Sequence, residues 1–414
     1  MSSTSENPAA LGAMHRVEFI ALMAALMSLT ALAIDSMLPG LALIGSDLGV
    51  IDPNHNQYIV SSFLLGFGMA QLVYGPASDR LGRRIPVLFG LGLYIVAALG
   101  ATIAPNFETM LTLRVIQGIG AASLRVITVS IVRDVYGGRR MAEAMSLILM
   151  VFMIVPVIAP GTGQVIMLFA DWHFIFVFMA LGAAVVGLWT YIRLPETLPL
   201  DERRPFTPKV IIEGFKIVIT NRIALCYTLA STFIFGALFA FINSAQQIYI
   251  DIYQLGEWFA VAFAAVAIFM ALSSFINAKL VGRFGMRRLS HGALIGFMLI
   301  NLIWLIGHLV GPSPMPFPLF LTLFALAMFQ FGWIGSNFNS LAMEPLGRVA
   351  GTASSVLGFL STIGGALIGA VIGQSFNGTA IPMVAGFFGV SVLGLVFVLI
   401  AEKGKLFQPH NPAV

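Results

Sequence analysis

The sequence is poor in charged residues and almost free of cysteine. Only 10% of its 414 residues are Asp, Glu, Lys or Arg, whereas soluble domains average about 25%. The single cysteine, Cys226, excludes an internal disulfide, and the six histidines lack the spacing of metal ligands. No phosphate-binding loop and no nucleophile elbow occurs, which argues against an ATP-driven pump and a serine hydrolase. We therefore expect neither a metal nor a cofactor.

Apolar residues are instead abundant, at 58% of the chain with a mean hydropathy of +0.95. This composition is typical of a chain surrounded by lipid. A helix needs about 20 apolar residues to cross a bilayer, so the length leaves room for twelve crossings and their loops. The apolar runs predict spans near residues 18–44, 57–78, 85–104, 108–132, 144–169 and 173–193, and then near 223–250, 257–281, 289–310, 317–341, 349–373 and 380–401.

A polar stretch, 194–222, separates two sets of six spans. We therefore predict an N-terminal six-helix bundle (1–193), a cytoplasmic central loop and a C-terminal six-helix bundle (223–414). The basic sequence at 80–84 recurs at 283–287, which favours duplication over a chance repeat of basic loop residues. Secondary transporters are commonly built from such repeats, with the substrate site between them near mid-membrane. The predicted fold is an all-α membrane protein of twelve transmembrane helices in two repeats.

The basic residues set the expected orientation. With both termini in the cytoplasm, all of the 22 Lys and Arg except Arg114 and Arg125 fall at the cytoplasmic side. The first thirteen residues lack the basic start and cleavage site of a signal peptide, so we expect the first span to be retained. The sequence thus predicts a multi-pass protein of the inner (cytoplasmic) membrane. We expect it to contact the lipid bilayer and not to bind nucleic acid.

Three segments carry a family resemblance. Gly75–Arg84 (GPASDRLGRR) resembles the signature loop between spans 2 and 3 of the major facilitator superfamily, with Ala77 in place of the usual Leu. Leu113–Ala122 (LRVIQGIGAA) in span 4 is similar to the family's proton-coupling motif. Pro156–Gly163 (PVIAPGTG) in span 5 is similar to the motif of its antiporters, although Ala159 departs from it.

Shorter matches resemble the Bcr/CflA type of drug/proton antiporter. They are Asp35–Pro39 (DSMLP), Ile131–Asp134 (IVRD), Asp171–Phe176 (DWHFIF, with His173 in place of the usual Arg) and Leu194–Thr197 (LPET). The resemblance implies a monomeric multidrug efflux transporter that exports small hydrophobic drugs in exchange for protons by alternating access. The proton gradient would drive it without a cofactor.

The resemblance also implies two sets of site residues. A conformational gate would close the cytoplasmic side, with Asp79 capping a neighbouring helix or pairing with an arginine; topological signalling by the arginines alone is the alternative. The gate residues are Gly75, Asp79, Arg80, Gly82, Arg83, Arg84 and Arg133, and the antiporter motif comprises Pro156, Pro160, Gly161 and Gly163.

Asp35, Arg114 and Arg125 are the charged residues deep inside the predicted spans. An intramembrane charge costs about 2.5 to 3.5 kcal/mol on insertion scales, so it normally faces a cavity or a partner. Asp35 and Arg114 lie roughly 25 and 28 Å from the cytoplasmic ends of their spans. We predict that they pair and that Asp35 carries the proton, with Glu18 as a second candidate. A static ion pair is the alternative for Asp35, and a purely structural hydrogen-bonding role at the span interface is the alternative for Arg114.

Arg125 completes the predicted proton-coupling set. It lies about 20° from the face of Arg114 on an ideal helix, so both arginines should look into one cavity. Alternatively, Arg125 reaches toward Asp134 as a structural partner.

Aromatic and polar side chains supply a predicted substrate pocket. Flexible and aromatic residues suit a pocket for varied apolar drugs, although any one of them can instead face lipid or bond a neighbouring helix. The candidates are Gln71, Phe152, Phe235, Phe239, Asn243, Gln330, Trp333 and Asn337.

Three other functions compete with drug efflux. The first is export, or import by proton symport, of an endogenous metabolite such as an amino acid or sugar derivative. An enzyme is disfavoured because one Asp and two Arg within the spans supply no catalytic dyad or metal cluster. A channel is disfavoured because duplication and a gating motif suit alternating access.

Overall fold

A computed structural model describes residues 14–203 and 208–408. The polar start, residues 1–13, on which the signal-peptide prediction rests, lies outside the described residues, as do residues 409–414. Within the described ranges, twelve helices are long and apolar enough to cross a membrane. The prediction of an all-α protein with twelve spans is confirmed.

The N-terminal half contributes the first six spans. Span 1 is made of two helices, Arg16–Asp35 and Leu41–Asp47, joined by a short 3-10 turn, Leu38–Gly40. The following spans are the helices Tyr58–Leu81 (span 2), Arg84–Ala101 (span 3), Phe107–Val135 (span 4), Gly138–Phe169 (span 5) and His173–Arg193 (span 6).

The C-terminal half contributes the other six. Span 7 ends in a π-helical turn, Gln247–Ile252, after its α-helix. The helices are Arg222–Gln246 (span 7), Phe259–Phe284 (span 8), Met286–Val310 (span 9), Phe317–Met343 (span 10), Ala350–Gln374 (span 11) and Ile381–Ala401 (span 12).

Caps and glycines define where several of these helices begin and end. The Asn106 side chain accepts a hydrogen bond from the Thr109 amide and starts span 4, and Asn221 does the same for span 7. Spans 2 and 8 both end at a glycine with positive φ, +89° at Gly82 and +81° at Gly285. Only glycine adopts this conformation without strain, so the same tight turn leads into the next span in each half.

The chain forms two compact units that divide between Ile211 and Ile212. In the first, span 4 packs along spans 2 and 3, and span 1 packs along span 5. In the second, span 7 packs along spans 11 and 12.

The central segment, expected to be a loop, contains a helix, Pro208–Thr220. Its apolar residues recur at helical spacing, with Val218 buried and the Phe215 ring edge-on to Phe359 at 5.7 Å. The polar composition of 194–222 as a whole concealed this pattern.

Candidate functional site

Asp35 ends the first helix of span 1 in the interior of the N-terminal half. Beyond it the chain leaves the α-helix, because Pro39 and Gly40 follow in the 3-10 turn. The side chain is 4% exposed. Its carboxylate has no hydrogen bond or ion pair with any described residue. The site therefore holds an isolated carboxyl group in the interior of a span.

The predicted ion pair between Asp35 and Arg114 is not formed. The Arg114 guanidinium instead donates to the carbonyl oxygens of Ala33 at 3.0 Å and Ile59 at 3.1 Å, and to Gln117 Oε1 at 2.6 Å. Ala33 belongs to the last turn of its helix, where carbonyl groups lack a partner within the helix. Arg114 satisfies one of these carbonyls and stacks over the Phe63 ring at 4.6 Å. It thereby fixes the helix end that carries Asp35.

The antiporter motif of span 5 lies against this same break. A side chain at Gly163 would collide with the backbone carbonyl of Ser36, the residue after Asp35. One turn further on, Met167 meets Gly40 at the far end of the break. Pro156 and Pro160 lie within the span 5 helix, with Pro160 buried. The small residues of the motif thus let span 5 approach the backbone beside Asp35.

Arg125 lies farther along span 4 and does not contact Asp134, the structural partner considered for it. Its guanidinium lies over the Phe67 ring of span 2 at 5.9 Å. The residue is exposed, although it lies on nearly the same face of span 4 as the buried Arg114. The described residues supply no ion pair to it. Arg114 and Arg125 therefore differ sharply in their environments.

The loop between spans 2 and 3 forms a buried charge cluster, which we call the Arg83 cluster: Arg83, Asp79, Asp134 and Glu196. Arg83 is 2% exposed and donates to Asp79 Oδ1 at 2.6 Å and to Asp134 Oδ2 at 2.8 Å. Burial alone would lower the pKa of its guanidinium, but the two carboxylates outweigh burial and raise that pKa above its ordinary value. Arg83 therefore remains charged and ties the end of span 2 to the end of span 4.

Glu196, from the LPET segment after span 6, completes the Arg83 cluster. Its carboxylate accepts hydrogen bonds from the backbone amides of Arg83 at 2.7 Å and Arg84 at 3.3 Å. These amides begin span 3, where an acidic group is favoured by the helix dipole. Thr197 donates to Asp134 at 3.1 Å. The cluster thus joins spans 2, 3 and 4 to the segment after span 6.

Other predicted gate residues lie at the edge of the cluster. Gly82 is buried against Glu196, and Arg84 stacks on Tyr191 at 5.3 Å. Gly75 is half-buried within span 2. Arg80 and Arg133 are exposed and form no ion pair with the described residues.

Glu18, the second candidate proton carrier, is already paired. It binds Arg193 of span 6 through two contacts of 2.7 Å and accepts from Trp189.

The C-terminal half contains a second buried cluster that the sequence analysis missed. We call it the Arg287 cluster: Arg287, Glu344, Glu402, Tyr227 and His291. Arg287 donates to Glu402 at 2.8 Å and to Glu344 at 2.9 Å. Tyr227 donates to Glu402 at 2.7 Å and contacts His291 Nε2 at 2.8 Å. The available signal was an acidic residue just after span 10 and another just after span 12, both in a chain with few charges.

The predicted substrate residues fall into three environments. Trp333 donates to the Ser273 carbonyl at 2.9 Å and Asn337 to Asn277 at 2.8 Å, so both join span 10 to span 8. Asn243 is 1% exposed, and neither polar atom of its amide forms a hydrogen bond with a described residue. The remaining candidates are buried (Gln71 and Phe239) or half-buried (Phe152, Phe235 and Gln330).

Comparisons with known proteins agree with these features. The chain is 32% identical over 399 residues to an uncharacterized MFS-type transporter, YdgK, of Bacillus subtilis, covering 95% of this chain and 98% of that one. It is 28% identical to a bicyclomycin resistance protein homolog of Haemophilus influenzae, covering 88% and 91% of the two chains. The xylose transporter XylE of E. coli has the same fold, with a TM-score of 0.71 at 12% identity over 93% of this chain and 97% of that one.

A family profile covers most of the chain. The family model of the Major Facilitator Superfamily matches residues 20–369. The chain therefore belongs to the major facilitator superfamily of multi-pass membrane transporters, and its predicted resemblance to Bcr/CflA-type drug exporters is confirmed.

Proposed function

We propose that this protein is a multidrug efflux transporter that exports small hydrophobic drugs in exchange for protons and so confers antibiotic resistance. One observation carries the proposal: Asp35 is a buried carboxyl group without a partner among the described residues, at a break in span 1 against which the antiporter motif of span 5 packs. A carboxylate in such a place is costly. Protonation removes that cost, so Asp35 is suited to bind and release a proton.

Exchange follows if proton and drug favour different conformations. A conformation that opens Asp35 to water favours its charged form, whereas one that buries it favours the protonated form. If the drug binds the first conformation more tightly, its binding releases the proton, and by reciprocity the proton releases the drug. Arg114 would position Asp35 by fixing the helix end, in place of the direct pairing expected from the sequence.

The Arg83 cluster would act as the gate of this cycle. Its carboxylates bind an arginine at the ends of spans 2 and 4, so it favours the conformation in which these ends are held together. We assign this end of the spans, and both termini, to the cytoplasm of a bacterial cell with the protein in the inner membrane, because the basic residues lie there. Drug-like molecules and protons would be its partners, and the monomer would be the working unit.

The decisive test uses proteoliposomes that contain purified protein and a pH-sensitive dye. An imposed proton gradient with added chloramphenicol should give drug-dependent proton movement in the unmodified protein. Asp35→Asn should abolish that movement while binding of the drug is retained, because the amide cannot exchange a proton. Glu18→Gln, which removes the alternative carrier, serves as the matched control and should keep at least half of the movement.

Two outcomes would contradict the proposal. Unchanged coupling in Asp35→Asn would exclude Asp35 as the carrier. Absence of proton movement with any drug would favour transport of an endogenous metabolite, to which Asn243 could contribute hydrogen bonds.

A further inference from the structure

Arg125 combines two properties that are rarely found together in a membrane span. It lies about 27 Å along span 4 from Phe107 and about 15 Å from Val135, hence well inside the membrane. It lies about 20° from the face on which Arg114 contacts spans 1 and 2, so it points toward the interior of the N-terminal half, yet it is exposed. An arginine that faced lipid at this depth would meet a high insertion cost. Arg125 therefore lines a water-accessible cavity.

The other buried arginines show how this chain normally neutralises such a charge. Arg83 binds two carboxylates, and so does Arg287. Arg114 donates to two carbonyls and an amide oxygen. Arg125 differs because it forms no hydrogen bond or ion pair with a described residue and only lies over the Phe67 ring at 5.9 Å from the ring centroid. Its five N–H donors remain available to a molecule in the cavity.

The geometry points to a binding site for a carboxylate on an apolar body, with Arg125 holding the carboxylate. A guanidinium matches a carboxylate through two parallel hydrogen bonds, which are strong where water is scarce. Phe67, itself 3% exposed, lies beside the guanidinium and offers an apolar surface next to the fork. This inference rests on the proposed function, which it narrows to amphiphilic organic acids among the exported drugs.

The assignment also separates Arg125 from the proton-coupling set expected from the sequence. A proton-coupling role would require Arg125 to influence the proton on a nearby carboxyl group. The described residues place no carboxylate in contact with it. Substrate recognition requires instead a fixed positive charge that is open to the cavity, and this is what Arg125 offers.

The test compares nalidixic acid, an aromatic carboxylic acid, with its ethyl ester, which keeps the apolar body but loses the charge. Equilibrium dialysis of the radiolabelled compounds against purified protein should show at least tenfold tighter binding of the acid. Arg125→Gln should weaken acid binding by about tenfold to a hundredfold, with less than a twofold effect on the ester. Arg125→Lys keeps the charge but loses the planar fork, so its affinity for the acid should lie between those of the unmodified protein and Arg125→Gln.

Val129→Gln is the matched control, because Val129 lies one turn away on the same helix and is 37% exposed. It should bind both compounds like the unmodified protein. Equal affinity for acid and ester in the unmodified protein would overturn the inference, as would an equal loss of both compounds in Arg125→Lys. Chloramphenicol-dependent proton movement without any preference for the acid would leave the proposed function standing. A preference for the acid without proton movement would leave the binding site standing alone.

Discussion

Charged side chains in the interior of this protein are distinguished by what neutralises them. Arg83 and Arg287 each bind two carboxylates, and Arg114 binds carbonyl oxygens at a helix end. Asp35 and Arg125 have neither kind of partner among the described residues. A charged group with a purely structural role keeps its partner throughout the transport cycle. A group that must bind a proton or a substrate needs atoms that no protein partner occupies. We therefore assign proton and substrate binding to the two unpartnered residues. Among the partnered ones, Arg114 would position Asp35, Arg83 would belong to the gate, and Arg287 would have a structural role.

Glu402 gives a pH-dependent prediction at this scale. Burial opposes ionisation of its carboxyl group, but hydrogen bonds from Arg287 and Tyr227 outweigh it and hold the pKa below its ordinary value of 4.5. Because the folded-state pKa is depressed, the stabilisation is present above pH 4.5 and is lost as the pH falls below that value. Glu402→Gln should lower the stability at pH 7 by about 1 to 3 kcal/mol and flatten its fall under acid.

Thermal unfolding in detergent between pH 7 and pH 3.5 measures both effects. Glu257→Gln, at an exposed position before span 8, is the control and should follow the unmodified protein. A Glu402→Gln variant that loses as much stability under acid as the unmodified protein would exclude Glu402 as the source.

Sequence reasoning predicted the burial of Asp35 and Arg114 better than their contacts. Counting helical rise correctly selected Asp35 and Arg114 as deep charges, because depth depends only on the position along a span. It could not give the Arg114 partner, because the carbonyl of Ala33 becomes available only where the helix breaks. Backbone acceptors have no sequence signature. The prediction considered charged side chains only, so it assigned Arg114 to the Asp35 carboxylate instead of the Ala33 carbonyl oxygen.

At the scale of elements, the contact between spans 1 and 5 is the most constrained feature of the site. Gly163→Ala should disturb it, because the added methyl group would overlap the Ser36 carbonyl beside Asp35. We expect proton movement in proteoliposomes to fall by about tenfold, with the thermal stability lowered by roughly 1 to 3 kcal/mol. Gly182→Ala in span 6 is the control, since its added carbon would meet its nearest neighbour, Leu29, at an ordinary 4.0 Å. Full activity in Gly163→Ala would show that the contact is not needed.

The twelve spans themselves were predictable because each needs a long apolar run, and each predicted run overlaps its helix. Two local features were not predictable from the apolar runs. The break after Asp35 lies inside a continuous apolar run, so hydropathy passes over it. The helix Pro208–Thr220 is too short to cross a membrane and is flanked by charged residues, so a search for spans excluded it.

At the scale of the whole molecule, the two halves repeat one arrangement of charges. Each half places an arginine at the start of its third span, an acidic residue at the end of its fourth and another after its sixth. These are Arg83, Asp134 and Glu196 in the first half and Arg287, Glu344 and Glu402 in the second. The sequence repeat aligns Arg287 with Arg84 and places Met286 at the position of Arg83, so it did not indicate this correspondence. Gly282 lies at the position of Asp79, so the second half has no counterpart of that carboxylate.

Because each cluster is closed within its own half, we predict that the two act independently. Arg83→Gln removes charged hydrogen bonds worth about 1.5 to 3 kcal/mol, which corresponds to at least tenfold faster opening of the elements that they join. Hydrogen–deuterium exchange should accelerate by that factor at the end of span 4 and at 194–198. The segment 402–408 should be unchanged. Arg287→Gln should give the reverse pattern, and acceleration in both halves from either substitution would contradict independent clusters.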